Sequence, residues 1–210
     1  MSEEESKHYR KAIFLSSVTL FYNVIEGIVS IAFGINDEAL ALFGFGADSF
    51  IEAISGVGIL LMVVRIQQHP RTSKSAFETT ALRITGMCFY LLSLGLVAGI
   101  IINLLASHQP QSTFAGTIIS LVSIMVMCWL YVEKKNIGKI LQSSPIIADA
   151  NCTKVCIYMS GVLLLSSAIF ELTKFLYADI MGTVGIIYFS VNEGRESFEK
   201  AKGKTECHCS

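Results

Sequence analysis

Two carboxylates, Asp48 and Glu52, stand four residues apart in the run GFGADSFIEA at residues 44–53, inside a stretch otherwise apolar enough to cross a bilayer. That spacing stacks both on one face of a helix. An ionised carboxylate in hydrocarbon costs about 2.5–3.5 kcal/mol on the insertion scale, so two on one stripe require a cation, a proton or a water cavity to answer them. Later in the chain the run ADANCTKVC at residues 148–156 sets Asp149, Cys152 and Cys156 at positions i, i+3 and i+7, again on one helix face. Asp48 and Glu52 from one helix, with Cys152 and Cys156 from another, are the simplest means by which two helices surround a tetrahedral ion. Carboxylate and thiolate ligands suit Zn²⁺ or the softer Cd²⁺, and suit Mg²⁺ or Ca²⁺ poorly. These residue types in this pattern point to a membrane carrier of cations.

Other polar residues compete for roles. Glu26, with Asn23 one turn before it, lies in an earlier apolar run, where it either carries a proton or braces a helix. Asp149 and, in YADIMG at residues 177–182, Asp179 are second-rank members of a metal or proton path, Asp179 being equally a helix cap. The bland reading of Asp48 and Glu52 is an ion pair that holds helices together, with Lys154 the obvious partner. Lys154, however, is two residues from each cysteine and points about 200° away from both. A disulfide between Cys152 and Cys156 is disfavoured, since side chains one turn apart converge poorly. In the terminal KTECHCS, Cys207, His208 and Cys209 supply soft ligands for metal capture, although one such cluster cannot close a tetrahedral site alone.

The elements that must carry these groups follow from composition. Of the 210 residues 52% are hydrophobic and 16% charged, against about 25% charged in soluble chains. The mean hydropathy is +0.58. Windows of about 20 residues, long enough for the hydrocarbon core, predict six spans at 12–33, 39–64, 82–106, 113–132, 146–170 and 175–192. Fourteen of the 16 Lys and Arg fall at the two ends of the chain or in the loops after the second and fourth spans, so the positive-inside rule puts both termini in the cytoplasm. The expected fold is all-α: a polytopic membrane protein with a six-transmembrane-helix bundle. Residues 1–11 form a cytoplasmic lead, 12–192 the transporter domain and 193–210 a cytoplasmic tail. Gly27, Gly34, Gly56, Gly161, Gly182 and Gly185 would let helices approach and slide. A net charge of -1 without a clustered basic surface gives no case for a nucleic-acid partner.

GFGADSFIEA, ADANCTKVC and YADIMG together resemble the cation diffusion facilitator family of metal/proton antiporters, with its A-D-S-x-x-D type signature on the second helix and A-D-x-x-H-x-x-x-D on the fifth. By that resemblance Asp48 and Glu52 fall on the two metal ligands of the second helix. Cys152 falls where the family usually has histidine, Cys156 where it has aspartate, and Asp149 on the acidic residue before them. Two thiols in place of imidazole and carboxylate soften the site toward Cd²⁺, Hg²⁺ or Zn²⁺. The resemblance is to a branch without the family's cytoplasmic domain, so any homodimer would form through transmembrane helices. It implies metal/proton antiport from the cytoplasm by alternating access, in the inner (plasma) membrane of a bacterium. No permanently bound cofactor is expected, only the transported Zn²⁺ or Cd²⁺ and protons, with the metal ion and the lipid bilayer as partners. The alternatives are a membrane thiol redox protein using Cys152 and Cys156, or a scaffold that transports nothing.

Overall fold

In the computed structural model, which describes residues 3–68, 76–106, 113–175 and 177–202, six helices follow one another: α1 (Glu3–Asn36), α2 (Leu40–Gln68), α3 (Ala76–Ala106), α4 (Phe114–Ile140), α5 (Ser144–Thr173) and α6 (Ala178–Ala201). No strand occurs among the described residues. Long apolar runs take this form because hydrocarbon offers the backbone no hydrogen-bond partner, and a helix satisfies its own amides and carbonyls. Cys207, His208 and Cys209, and the whole connection between α2 and α3, lie outside the described residues.

The helices outrun the expected spans at several ends. α4 continues to Ile140, so the loop expected at 133–144 shrinks to a short connector and Lys134 belongs to a helix. α6 continues to Ala201, converting the first half of the expected tail into helix. α1 through α5 each hold a stretch long and apolar enough to cross a bilayer, whereas α6 does not meet that measure. Its shortfall has a cause: the buried face of α6 carries Asp179, Thr183, Ser190, Glu193 and Ser197.

Tight connectors join α1 to α2, α4 to α5 and α5 to α6, each through one residue of positive φ: Glu38 (54°), Gln142 (47°) and Lys174 (52°). At the α4 end the Ser143 amide donates to the Gly138 carbonyl at 3.0 Å, closing the last turn in the way left-handed helix caps do. α1 packs chiefly on α2, α4 on α5 and α3 on α6, while α2 also meets α5 and α6 at the centre. At the α1–α2 crossing, a β-carbon at Gly46 would sit 2.8 Å from the Ile31 backbone nitrogen and 3.0 Å from the Gly27 carbonyl oxygen, so only glycine permits this approach. Gly27, Gly34, Gly182 and Gly185 also sit at close approaches. Gly56 and Gly161 do not: a β-carbon at either meets nothing within 4 Å.

Polarity runs from the inside out. Phe14, Phe21, Leu91, Leu94, Trp129, Leu165 and Tyr188 are exposed, while Ser30, Ser120, Ser123, Ser160, Thr183 and Ser190 are buried. Lipid tails as solvent explain both halves, because large apolar side chains face acyl chains and small hydroxyl residues let helices close together.

Candidate metal centre

The carboxylate of Glu52 and the thiol of Cys156 meet where α2 faces α5. The Cys156 Sγ–H donates to Glu52 Oε2 at 2.7 Å. From α1, Asn23 Nδ2 reaches the same oxygen at 3.5 Å, while Asn23 Oδ1 is buried without a partner. These three residues line a cavity of about 30 Å³ together with Ser16, Gly56, Asp149, Cys152, Thr153 and Glu193. That is room for a water molecule or a bare metal ion. Gly56 keeps it open, one turn beyond Glu52, by presenting no side chain.

Asp48 is 2% exposed and accepts from the Ser190 hydroxyl of α6 at 3.3 Å. Beside it, Glu26 accepts from Tyr22 Oη at 3.0 Å and from Ser49 Oγ at 3.1 Å, which ties α1 to α2. Cys152, one turn before Cys156 and so about 6 Å nearer the end of the bundle where α5 begins and α6 ends, accepts from the Lys200 ammonium at 3.5 Å. Of the four residues expected to share a ligand sphere, Glu52 and Cys156 therefore touch, Asp48 faces α6, and Cys152 stands a turn away. Among the described residues no three His, Cys, Asp or Glu side chains converge closely enough to hold an ion at once. Cys152 and Cys156 are both free thiols.

Asp149 has a different partner from any expected. The Lys134 ammonium lies 3.0 Å from its Oδ2, Ser16 Oγ donates to the same oxygen at 2.7 Å, and Lys134 also donates to Thr153 Oγ1 at 3.1 Å. Lys134 is 1% exposed. The lysine that answers a buried carboxylate is thus Lys134, whereas Lys154 lies over the Tyr158 ring, 5.3 Å from its centroid. The spacing of α4 held the signal: Gly116, Ser120, Ser123, Met127, Leu130 and Lys134 recur every three or four residues, and all are buried. Asp179 serves as a cap, but for another helix. Its two oxygens accept from the Leu40 and Ala41 amides at 3.0 and 3.1 Å, so α6 closes the first turn of α2. Glu193, which residue-type reasoning passed over as tail, is 8% exposed and lines the cavity. It extends the buried stripe of Ser190 on α6, a periodicity that could have singled it out.

A bundle with lipid-facing apolar sides and acids and thiols inside is suited to moving a charged solute. Residues 16–202 match the cation efflux transmembrane domain. The chain belongs to the cation efflux family. The match begins within α1, at Ser16, and ends just past α6, so this cation efflux domain takes in most of α1 and the whole of α2 to α6. The protein is a multi-pass membrane transporter of cations, not an enzyme.

Proposed function

We propose that this cation efflux protein exports a divalent ion of Zn²⁺ or Cd²⁺ character from the cytoplasm in exchange for protons. Glu52 and Cys156 are the central ligands; Asp48, Asn23 and Cys152 complete the sphere as the helices rock. One observation carries the reading: the Cys156 thiol donates its proton to the Glu52 carboxylate across 2.7 Å beside the partnerless amide oxygen of Asn23. An ion that binds there must displace that proton, because thiolates and carboxylates coordinate metal only when deprotonated. The thiol S–H bond breaks, a metal–sulfur and a metal–oxygen bond form, and one proton leaves. In the outward-open state the reverse exchange releases the ion. Binding and protonation exclude one another, which is the coupling an antiporter needs.

The test is uptake of Zn²⁺ and Cd²⁺ into proteoliposomes with and without an acidic interior. Accumulation against the ion's own gradient should require the acidic interior. Glu52→Gln and Cys156→Ser should each abolish it. Uptake that ignores the pH gradient, or that survives both substitutions, overturns the proposal. Loss with Cys156→Ser but not with Glu52→Gln would instead favour thiol redox chemistry.

A further inference from the structure

One hydrogen bond closes the approach to the Glu52–Cys156 contact. Along α5, Asp149 precedes Cys156 by seven residues, about 10 Å of helix; along α1, Ser16 precedes Asn23 by the same seven. All four side chains line one cavity. Its deep end is the level of Asn23, Glu52 and Cys156, and its other end is the level of Ser16 and Asp149, two helical turns nearer the start of α1 and of α5. There Ser16 Oγ donates to Asp149 Oδ2 at 2.7 Å, and both residues are buried. The positive-inside rule gives that end to the cytoplasm.

The two sides of this bond belong to different helix pairs. Ser16 lies on α1, which packs chiefly on α2, and Asp149 lies on α5, which packs chiefly on α4. Asp149 holds two partners at once: Lys134, on its own side of the seam at 3.0 Å, and Ser16, across it. Thr153, one turn on, fixes the Lys134 ammonium from that same side at 3.1 Å. Parting the pairs at this level breaks the Ser16 bond and leaves the Lys134 ion pair whole, so the carboxylate keeps its counter-charge as the seam opens. A buried charge that lost its only partner would oppose such a motion strongly. Nearer the helix ends, Lys11 of α1 meets Glu133 of α4 at 2.6 Å, but that pair is open to solvent and holds weakly. The Ser160 hydroxyl, bonded to Ser123 at 2.9 Å, shows the plainer case of a brace between helices, clear of the cavity. Ser16 and Asp149 differ in standing on the cavity wall with the ion's contact pair beneath them.

We propose that the Ser16–Asp149 bond is the cytoplasmic gate of the ion path. It shuts the approach to Glu52 and Cys156 while α1 and α5 lie together, and it yields when the α1–α2 and α4–α5 pairs part, with Lys134 neutralising Asp149 in both states. This deepens the transport reading above, on which it rests. It gives a buried lysine a task in a cation path: the ammonium takes up the negative charge that would otherwise detain the ion at the entrance. Asp149 then guards the path and does not ligate the ion.

The probe is Cys152, which lines the cavity one turn inside Asp149. A membrane-impermeant, cationic methanethiosulfonate is added to one face at a time of oriented proteoliposomes holding the full-length protein, without metal, and modification of Cys152 is followed by peptide mass spectrometry. Ser16→Ala deletes the bond and leaves the Lys134–Asp149 pair. From the cytoplasmic face it should label about tenfold faster than wild type, the factor that loss of a hydrogen bond to a charged group sets. From the opposite face its rate should not rise. Ser16→Thr, which keeps the hydroxyl, should return the wild-type rate, and Ser17→Ala, whose hydroxyl donates to the Ile13 carbonyl of its own helix, should stay at it. Equal cytoplasmic rates for Ser16→Ala and wild type overturn the gate. An equal rise from both faces also overturns it, because that marks loosened packing. The labelling needs no metal, so either result leaves the Glu52–Cys156 reading standing; that reading fails by its own test, as uptake that survives Glu52→Gln and Cys156→Ser.

Discussion

Replacing Lys134 by methionine keeps the side chain's length and deletes its ammonium, leaving Asp149 in place with 8% of its side chain exposed. Water cannot repay so enclosed a charge, and breaking one side of a buried pair costs about 3–5 kcal/mol. The Ser16 hydroxyl still donates to Oδ2 at 2.7 Å, and a hydrogen bond to a charged group recovers about 1.5–3 kcal/mol of otherwise lost solvation. The expected loss therefore falls at the low end, about 3 kcal/mol. Neutralising both partners in Lys134→Met/Asp149→Asn should return stability to within about 1 kcal/mol of wild type, since no uncompensated charge is left behind. Lys11, paired with Glu133 at 2.6 Å but 53% exposed, is the internal reference, and Lys11→Met should cost about 0–1 kcal/mol. The assay is unfolding of the purified protein in detergent, run as a double-mutant cycle on residues 134 and 149. If Lys134→Met is no more destabilising than Lys11→Met, or if the double variant is worse than either single one, the buried pair is not what ties α1, α4 and α5 together.

Two further substitutions test how the site is positioned. Asp179→Ala removes both acceptors from the first turn of α2 and should cost about 2 kcal/mol, while Asp179→Asn, which keeps one acceptor oxygen, should lose about half as much; equal stability of all three proteins in detergent unfolding would disprove the cap. Gly46→Ala drives a β-carbon against the backbone of α1 and should cost about 1–3 kcal/mol in the same measurement, whereas Gly56→Ala enters open space and should be neutral or stabilising by up to about 1 kcal/mol. A reversed order at these two glycines would show that the helices cross elsewhere.

Much of the architecture was legible because hydrophobic length and helical periodicity are local. Six apolar runs predicted six helices, and the four-residue spacings of Asp48 with Glu52 and of Cys152 with Cys156 put each pair on one inward face. Helix ends are less legible: Lys134 and Glu193 read as loop and tail residues because a charge at the edge of an apolar run resembles the end of a span. Inside a bundle, charge ends nothing if a neighbour answers it, and α4 and α6 run on for that reason.

By itself the sequence determined which side chains share a helix face and which runs must bury their backbone polarity in lipid, since both depend only on residues within a few turns of each other. Tertiary structure alone decided that Cys156 meets Glu52 while Cys152 meets Lys200, that Asp149 is answered by Lys134, and that Asp179 caps α2. Those pairings depend on the height at which one helix stands against another. Glycine contacts such as Gly46 on Ile31 set that height, across separations in the chain that no local periodicity records.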